Sequence, residues 1–237
     1  MHVEKRGCEK GCDVENLPAT PQGLQLEYQA EGLTLVGNGL ALRGDFTHLL
    51  PRVQPANLSR ELLVRAAKIK GFDGVPHVVD ATAGLGEDSF LLAAAGFEVT
   101  LCERDAVIAV LLRDALNRAQ ESPQLAQIAG QMHLYEGDSI DLLSQPGLMP
   151  QVVYLDPMFP QKRKTDALTN KKLQLFQQLE RPCEDEAELM QVAYDAHPLK
   201  IVVKRPLKGP YLAEKKPSHS LAGKVVRYDC YVLPRRE

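Results

Sequence analysis

The most specific chemical signal is a strand end. The apolar run Gln151-Val152-Val153-Tyr154-Leu155 passes directly into Asp156-Pro157-Met158-Phe159-Pro160. Two prolines fix the backbone, Asp156 offers carboxylate oxygens where the strand stops, and Phe159 offers a flat apolar face. Such a set suits the exocyclic amine of a nucleobase. That amine is a poor nucleophile because its lone pair is delocalised into the ring, and acceptors directed at its hydrogens favour the geometry that attacks. Asp156 and Phe159 are therefore the candidate catalytic groups.

Three further segments suit a nucleotide-like ligand. Val78-Val79-Asp80-Ala81-Thr82-Ala83-Gly84-Leu85-Gly86-Glu87-Asp88 reads as a strand, a glycine turn and a helix start, with Gly84 and Gly86 letting a ligand approach the backbone. The third glycine of the G-x-G-x-x-G pattern is replaced by Ser89, so the turn alone is a weak indicator. Val99-Thr100-Leu101-Cys102-Glu103 ends in an acid 23 residues after Asp80, the place of a carboxylate that accepts from both hydroxyls of a ribose. Arg104 beside it reads as a solvated edge residue, a cover for an adenine ring or a partner of Glu103. Tyr135-Glu136-Gly137-Asp138-Ser139 closes a third strand, where Asp138 and Ser139 either face an adenine amine or form an ordinary Asx-turn.

These segments need a scaffold that brings strand ends together. From His77 to Lys204 apolar runs alternate with helical segments, which predicts a mostly parallel sheet covered by helices. Lys224–Leu233 is rich in β-branched and aromatic residues and is expected to close one edge as antiparallel strand. Before this, Leu24–Phe46 alternates with turns at Glu31-Gly32 and Gly37-Asn38-Gly39, a small β-meander. Leu58–Lys70 has helical spacing, with Asn57 as a possible N-cap and Gly71 as the stop. Residues 1–57 are expected to form an N-terminal appendage with a polar leader, and 58–237 the main α/β domain.

With 237 residues, 44% hydrophobic and 25% charged, the chain has the makings of a globular protein with a substantial core. There is no apolar run of membrane-spanning length and no apolar signal core near Met1, so a cytoplasmic location is expected. Five cysteines, Cys8, Cys12, Cys102, Cys183 and Cys230, are too few and too scattered for a disulfide framework, and Cys8 and Cys12 read as free thiols. Six scattered histidines offer no ligand spacing, and no metal is expected. A G-x-S-x-G elbow is missing, which argues against a serine hydrolase.

A net charge of −3 would by itself disfavour a nucleic-acid partner, but the charge is unevenly spread. Between Met158 and Arg227 there are fourteen Lys and Arg against eight Asp and Glu, leaving fourteen against twenty-three elsewhere. Lys162, Arg163 and Lys164 follow Asp156, and Lys204 and Arg205 end the next strand. In a parallel sheet both groups fall on the rim that carries the site, so they are the candidate RNA contacts.

The assembled motifs resemble those of class I S-adenosylmethionine methyltransferases of Rossmann-like fold, and Asp-Pro-Met-Phe is similar to the Asp/Asn-Pro-Pro-aromatic motif of enzymes that methylate exocyclic amines. VVDATAGLGEDSFLLA, Glu103-Arg104, VVYLDPMFPQKRK and IVVKRP resemble, more narrowly, the ribosomal RNA small subunit methyltransferase J family, over Leu58 to Leu233. The resemblance implies S-adenosylmethionine as cofactor and methylation of a guanine N2 in small-subunit ribosomal RNA, free or as the 30S particle. It further implies cofactor contacts at Glu87, Asp88, Glu103, Arg104, Asp138, Ser139 and Asp156. The family pattern carries Arg where this sequence has Glu87. Alternatives are an amine methyltransferase acting on DNA or a free nucleotide, an RNA-binding assembly factor without transfer activity, and a dinucleotide oxidoreductase, the last disfavoured by Ser89 and the Asp156 motif.

Overall fold

The computed structural model describes residues 17–157, 179 and 186–235. A three-stranded antiparallel meander comes first: β1 (Gln25–Gln29), β2 (Gly32–Gly37) and β3 (Leu40–Leu42). Two short helices follow, α1 (Pro55–Leu58) and α2 (Leu62–Ala67). The α/β succession is then β4 (His77–Asp80), α3 (Glu87–Ala94), β5 (Glu98–Glu103), α4 (Ala106–Glu121), α5 (Ala126–Ala129), β6 (Met132–Glu136), α6 (Ser139–Leu143), β7 (Val152–Leu155), α7 (Glu186–Asp195) and β8 (Lys200–Pro206). The described chain ends with β9 (His219–Ala222) and β10 (Val226–Val232).

Among the described residues the large sheet has seven strands in the order β6-β5-β4-β7-β8-β10-β9. The first five are parallel, and β10 and β9 add an antiparallel edge. The α/β class and the antiparallel C-terminal edge therefore agree with the sequence reading. Strand alternation explains the two-sided core: Val78, Val152 and Val202 pack on one face, and Val79, Val153 and Val203 on the other. Chain order reverses beside β4, with β5 on one side and β7 on the other, which opens a crevice at their carboxyl ends.

The meander is bound to this scaffold. Leu33 and Leu35 pack with Ile108 and Leu111 of α4, and the Leu33 N–H donates to Asp114 at 3.1 Å. Phe46, just after the meander, stacks on Phe90 of α3 with centroids 4.9 Å apart.

The expected helix over Leu58–Lys70 is corrected to one short helix, Leu62–Ala67, preceded by the separate turn of helix Pro55–Leu58. Arg52 grips the Glu61 carboxylate with two bonds of 2.8 Å, and Glu61 adopts an extended backbone that separates the two. Asn57 does not cap; its amide donates to the Pro51 carbonyl at 2.8 Å. The helix stops at Ala67, before Gly71, and Lys200 Nζ takes the carbonyls of Ala66 and Lys68 at 2.9 and 2.6 Å. Long-range side-chain contacts thus decide both boundaries. No helix among the described residues is long and apolar enough to cross a membrane.

Candidate active site

The turn between β4 and α3 is the centre of the crevice. Gly84 and Gly86 have φ of 55° and 76°, the left-handed region that glycine tolerates. At Gly86 a Cβ would also lie 2.8 Å from Leu112 Cδ1 and 3.1 Å from Leu101 Cδ2, so the turn sits tightly on the core. Asp80 supports it from below. Its buried carboxylate accepts from Ser89 Oγ at 2.6 Å and from the Thr82 N–H at 3.2 Å. Ser89, the departure from the glycine pattern, is therefore a turn support. Burial pushes Asp80 up to about 7, against those two hydrogen bonds and helped by the charges of Asp88 and Asp156.

Glu103, at the end of β5, is held by the backbone. Gly84 N–H donates to one oxygen at 2.9 Å and Asp105 N–H to the other at 2.8 Å. Each oxygen keeps a further lone pair, the number two vicinal hydroxyls require. Burial pushes the carboxyl up to about 7 in spite of both N–H groups.

Arg104 Nη1 lies 4.0 Å from Asp138 Oδ2, and its charge also acts on Glu103, opposing the rise caused by burial. Asp138 caps α6 by accepting from Ile140 N–H at 2.8 Å, and Ser139 is the first residue of that helix. Glu87 is half-exposed and lies 3.4 Å from His48 Nε2.

Asp156, just past β7, has its backbone N–H on Thr82 Oγ1 at 2.6 Å, so the acidic strand end is fastened to the glycine turn. Its carboxylate meets Lys204 Nζ at 2.9 Å. The same ammonium reaches Asp88 Oδ2 at 2.7 Å, and Tyr154 Oη donates to that oxygen at 2.6 Å. Burial raises the Asp156 carboxyl, Lys204 opposes the rise, and Asp88 adds to it. Burial alone would depress Lys204, but the two carboxylates outweigh it and hold the ammonium well above an ordinary lysine. Tyr154 and Tyr228 are both raised, by burial first and then by Asp88.

Two candidate RNA contacts are corrected. Lys204 points into the site and is paired with Asp88 and Asp156. Arg205 has a relative exposure of 1%, and its guanidinium bonds the Glu186 carboxylate and the Pro210 carbonyl. Strand alternation is the reason: neighbours on β8 point to opposite faces, and neither face here is the outer rim. Phe159, Lys162, Arg163 and Lys164 lie outside the described residues. Thr82 and Tyr154 escaped the sequence reading, although a Tyr two residues before Asp156 in an apolar strand shares its face and was a usable signal.

The family model described as "Putative SAM-dependent methyltransferase" matches residues 15–233. A ribosomal RNA small subunit methyltransferase J of Chromobacterium violaceum is 39% identical over 232 residues, covering 94% of this chain and 90% of the relative. This chain belongs to that methyltransferase J family. A relative of the same name from Pseudomonas aeruginosa is 50% identical over 157 residues, which are 66% of this chain and 60% of the relative's length. The crystal structure of a SAM-dependent methyltransferase from Neisseria gonorrhoeae superposes with a TM-score of 0.71 at 31% identity, covering 90% of this chain and 85% of that one.

Family membership brings S-adenosylmethionine as cofactor, and the residues present fit it. Gly84 in the left-handed turn is only half-buried, and Glu103 keeps acceptor capacity on both oxygens while its own position is secured.

Proposed function

We propose that this chain transfers a methyl group from S-adenosylmethionine to the exocyclic N2 amine of a guanosine in small-subunit ribosomal RNA. The observation that carries the reading is the attachment of Asp156 to the glycine turn through Thr82 at 2.6 Å, which supports the carboxylate as amine acceptor and the turn as cofactor site by bringing the two together. Glu103 accepts from the ribose hydroxyls, Gly84 and Gly86 admit the cofactor to the backbone, and Asp88, Arg104, Asp138 and Ser139 border the pocket. The cofactor supplies a methyl group already activated on a sulfonium. The protein's task is then alignment and proton handling. Asp156 accepts hydrogen bonds from the amine, turns its lone pair toward the methyl carbon, and takes the proton that the nitrogen gives up once the new N–C bond has formed.

Phe159 stacks on the displaced guanine, and Lys162, Arg163 and Lys164 contact RNA phosphates. Residues 58–237 make up the transferase domain and 1–57 the appendage. With such a substrate, as free rRNA or the 30S particle, the protein works in the cytoplasm.

The test is methylation of small-subunit rRNA and 30S particles from cells lacking the gene, using radiolabelled cofactor and nucleoside analysis, with DNA and free guanosine nucleotides as competitors. The expected product is N2-methylguanosine at one position. Label in another nucleoside, or transfer to the competitors with equal efficiency, would overturn the reading.

A further inference from the structure

Lys204 belongs to β8, Asp88 to the first turn of α3, and Asp156 to the end of β7, so one ammonium joins three elements at the bottom of the crevice. With Nζ 2.7 Å from one Oδ2 and 2.9 Å from the other, the two carboxylate oxygens lie within about 6 Å of each other. Like charges that close in a partly buried site oppose double ionisation, and one carboxyl then keeps its proton. A protonated Asp156 has lost part of its power to accept from an amine. Further negative charge faces it, from Asp80 below the turn, while Tyr154 and Tyr228 are neutral phenols on the same side. Arg205 on β8 also favours the ionised form of Asp156, while the charge of Arg52 acts on Asp88 and Tyr228. Of all these, only Lys204 touches both carboxylates.

We propose that Lys204 is a positioning residue of the transfer site, bridging Asp88 and Asp156 so that Asp156 meets the target amine as a carboxylate. This rests on the amine-transfer reading for its kinetic consequence, but its electrostatic content belongs to the free protein. The bridge has a second effect: it holds Asp156 from the side of β8 while Thr82 holds its backbone from β4. The orientation of the acceptor is then set before substrate arrives.

The experiment compares wild type with Lys204→Met, which keeps the apolar stem and removes the charge, and with Lys204→Arg, which restores it. Single-turnover methylation at saturating cofactor and RNA is followed from pH 6 to 9. In Lys204→Met the acid limb should move upward by a unit or more, with a loss of tenfold or more at pH 7 that shrinks toward alkaline pH. Lys204→Arg should keep the limb near that of wild type. In the double variant Lys204→Met/Asp88→Asn, where the competing carboxylate is gone, the limb should return downward. A loss of equal factor at every pH would reduce Lys204 to a structural contact. A raised KM for RNA with an unchanged rate at saturation would return it to the RNA surface; either result overturns the proposal.

Carbon-detected titration of the carboxyl groups in the free protein, with Asp156 assigned by its disappearance in Asp156→Asn, reads the same pairing without substrate. An Asp156 midpoint that Lys204→Met leaves in place also overturns it. Should wild type methylate no RNA, this titration still decides the role of Lys204, so failure of the functional reading and failure of the bridge are distinguishable.

Discussion

At the β5 end of the crevice Glu103 is gripped by two backbone N–H groups, from Gly84 and Asp105, whereas at the β7 end Asp156 is gripped by two side chains, Thr82 and Lys204. The first arrangement depends on the course of the chain and needs only glycine in the turn. The second depends on particular side chains from β8 and the β4 turn, with Asp88 of α3 as a competitor. A backbone grip makes a permanent socket, suited to a cofactor that is always the same. A side-chain grip leaves an acceptor whose charge and direction can be tuned, as a reacting amine requires.

The sharpest way to break this contrast is at the β7 end. Asp156→Ala removes one preorganised group at the proposed reacting centre, and the saturated single-turnover rate should fall about a hundred- to a thousand-fold. Affinity for S-adenosylhomocysteine should change far less. At the β5 end Glu103→Ala should weaken S-adenosylhomocysteine by about 1–3 kcal/mol, the range for losing charge-assisted hydrogen bonds, with the saturated rate nearly kept. Calorimetry beside single-turnover kinetics checks both.

The socket itself is testable through Gly86→Ala. The left-handed φ of 76° and the 2.8 Å approach to Leu112 make this substitution cost about 1–3 kcal/mol. At about 2–4 °C per kcal/mol for a domain of this size, the Tm should fall by several degrees.

A gentler prediction uses pH. Glu103 is held up at about 7 in the free protein, and in its proposed role the ribose hydroxyls would donate to its ionised form. Affinity for S-adenosylhomocysteine should therefore rise with pH through 7, being about tenfold weaker one unit below the midpoint than well above it. Stability of the free protein runs the other way. A carboxyl whose folded value lies above its unfolded one contributes stability that is complete below the unfolded value and is lost as pH rises through 7. Glu103→Gln should accordingly flatten the pH dependence of both binding and stability.

The same contrast governs what could be read in the sequence. The β5 end was legible because strand, glycine turn and terminal acid are local patterns: Gly84, Gly86 and Glu103 follow from spacing along the chain. Asp156 was legible for the same reason. Its partners were not, since Thr82 comes from the turn after β4 and Lys204 from β8, and only the sheet order brings them to the end of β7. Lys204 and Arg205 look like a basic pair in the sequence, yet strand alternation sends one into the site and the other against Glu186. The start of the helix at Leu62 was hidden likewise, because its cause is the Arg52–Glu61 contact. Local periodicity carries no information about such partners.

The division of labour between the two ends is tested most directly by a double-mutant cycle in single-turnover efficiency, measured with subsaturating cofactor on wild type, Glu103→Ala, Asp156→Ala and the double variant. If Glu103 serves binding and Asp156 serves transfer, the two losses should add to within about 0.5 kcal/mol. A double variant no worse than Asp156→Ala alone would show that the two carboxylates act in one step, and would contradict the account.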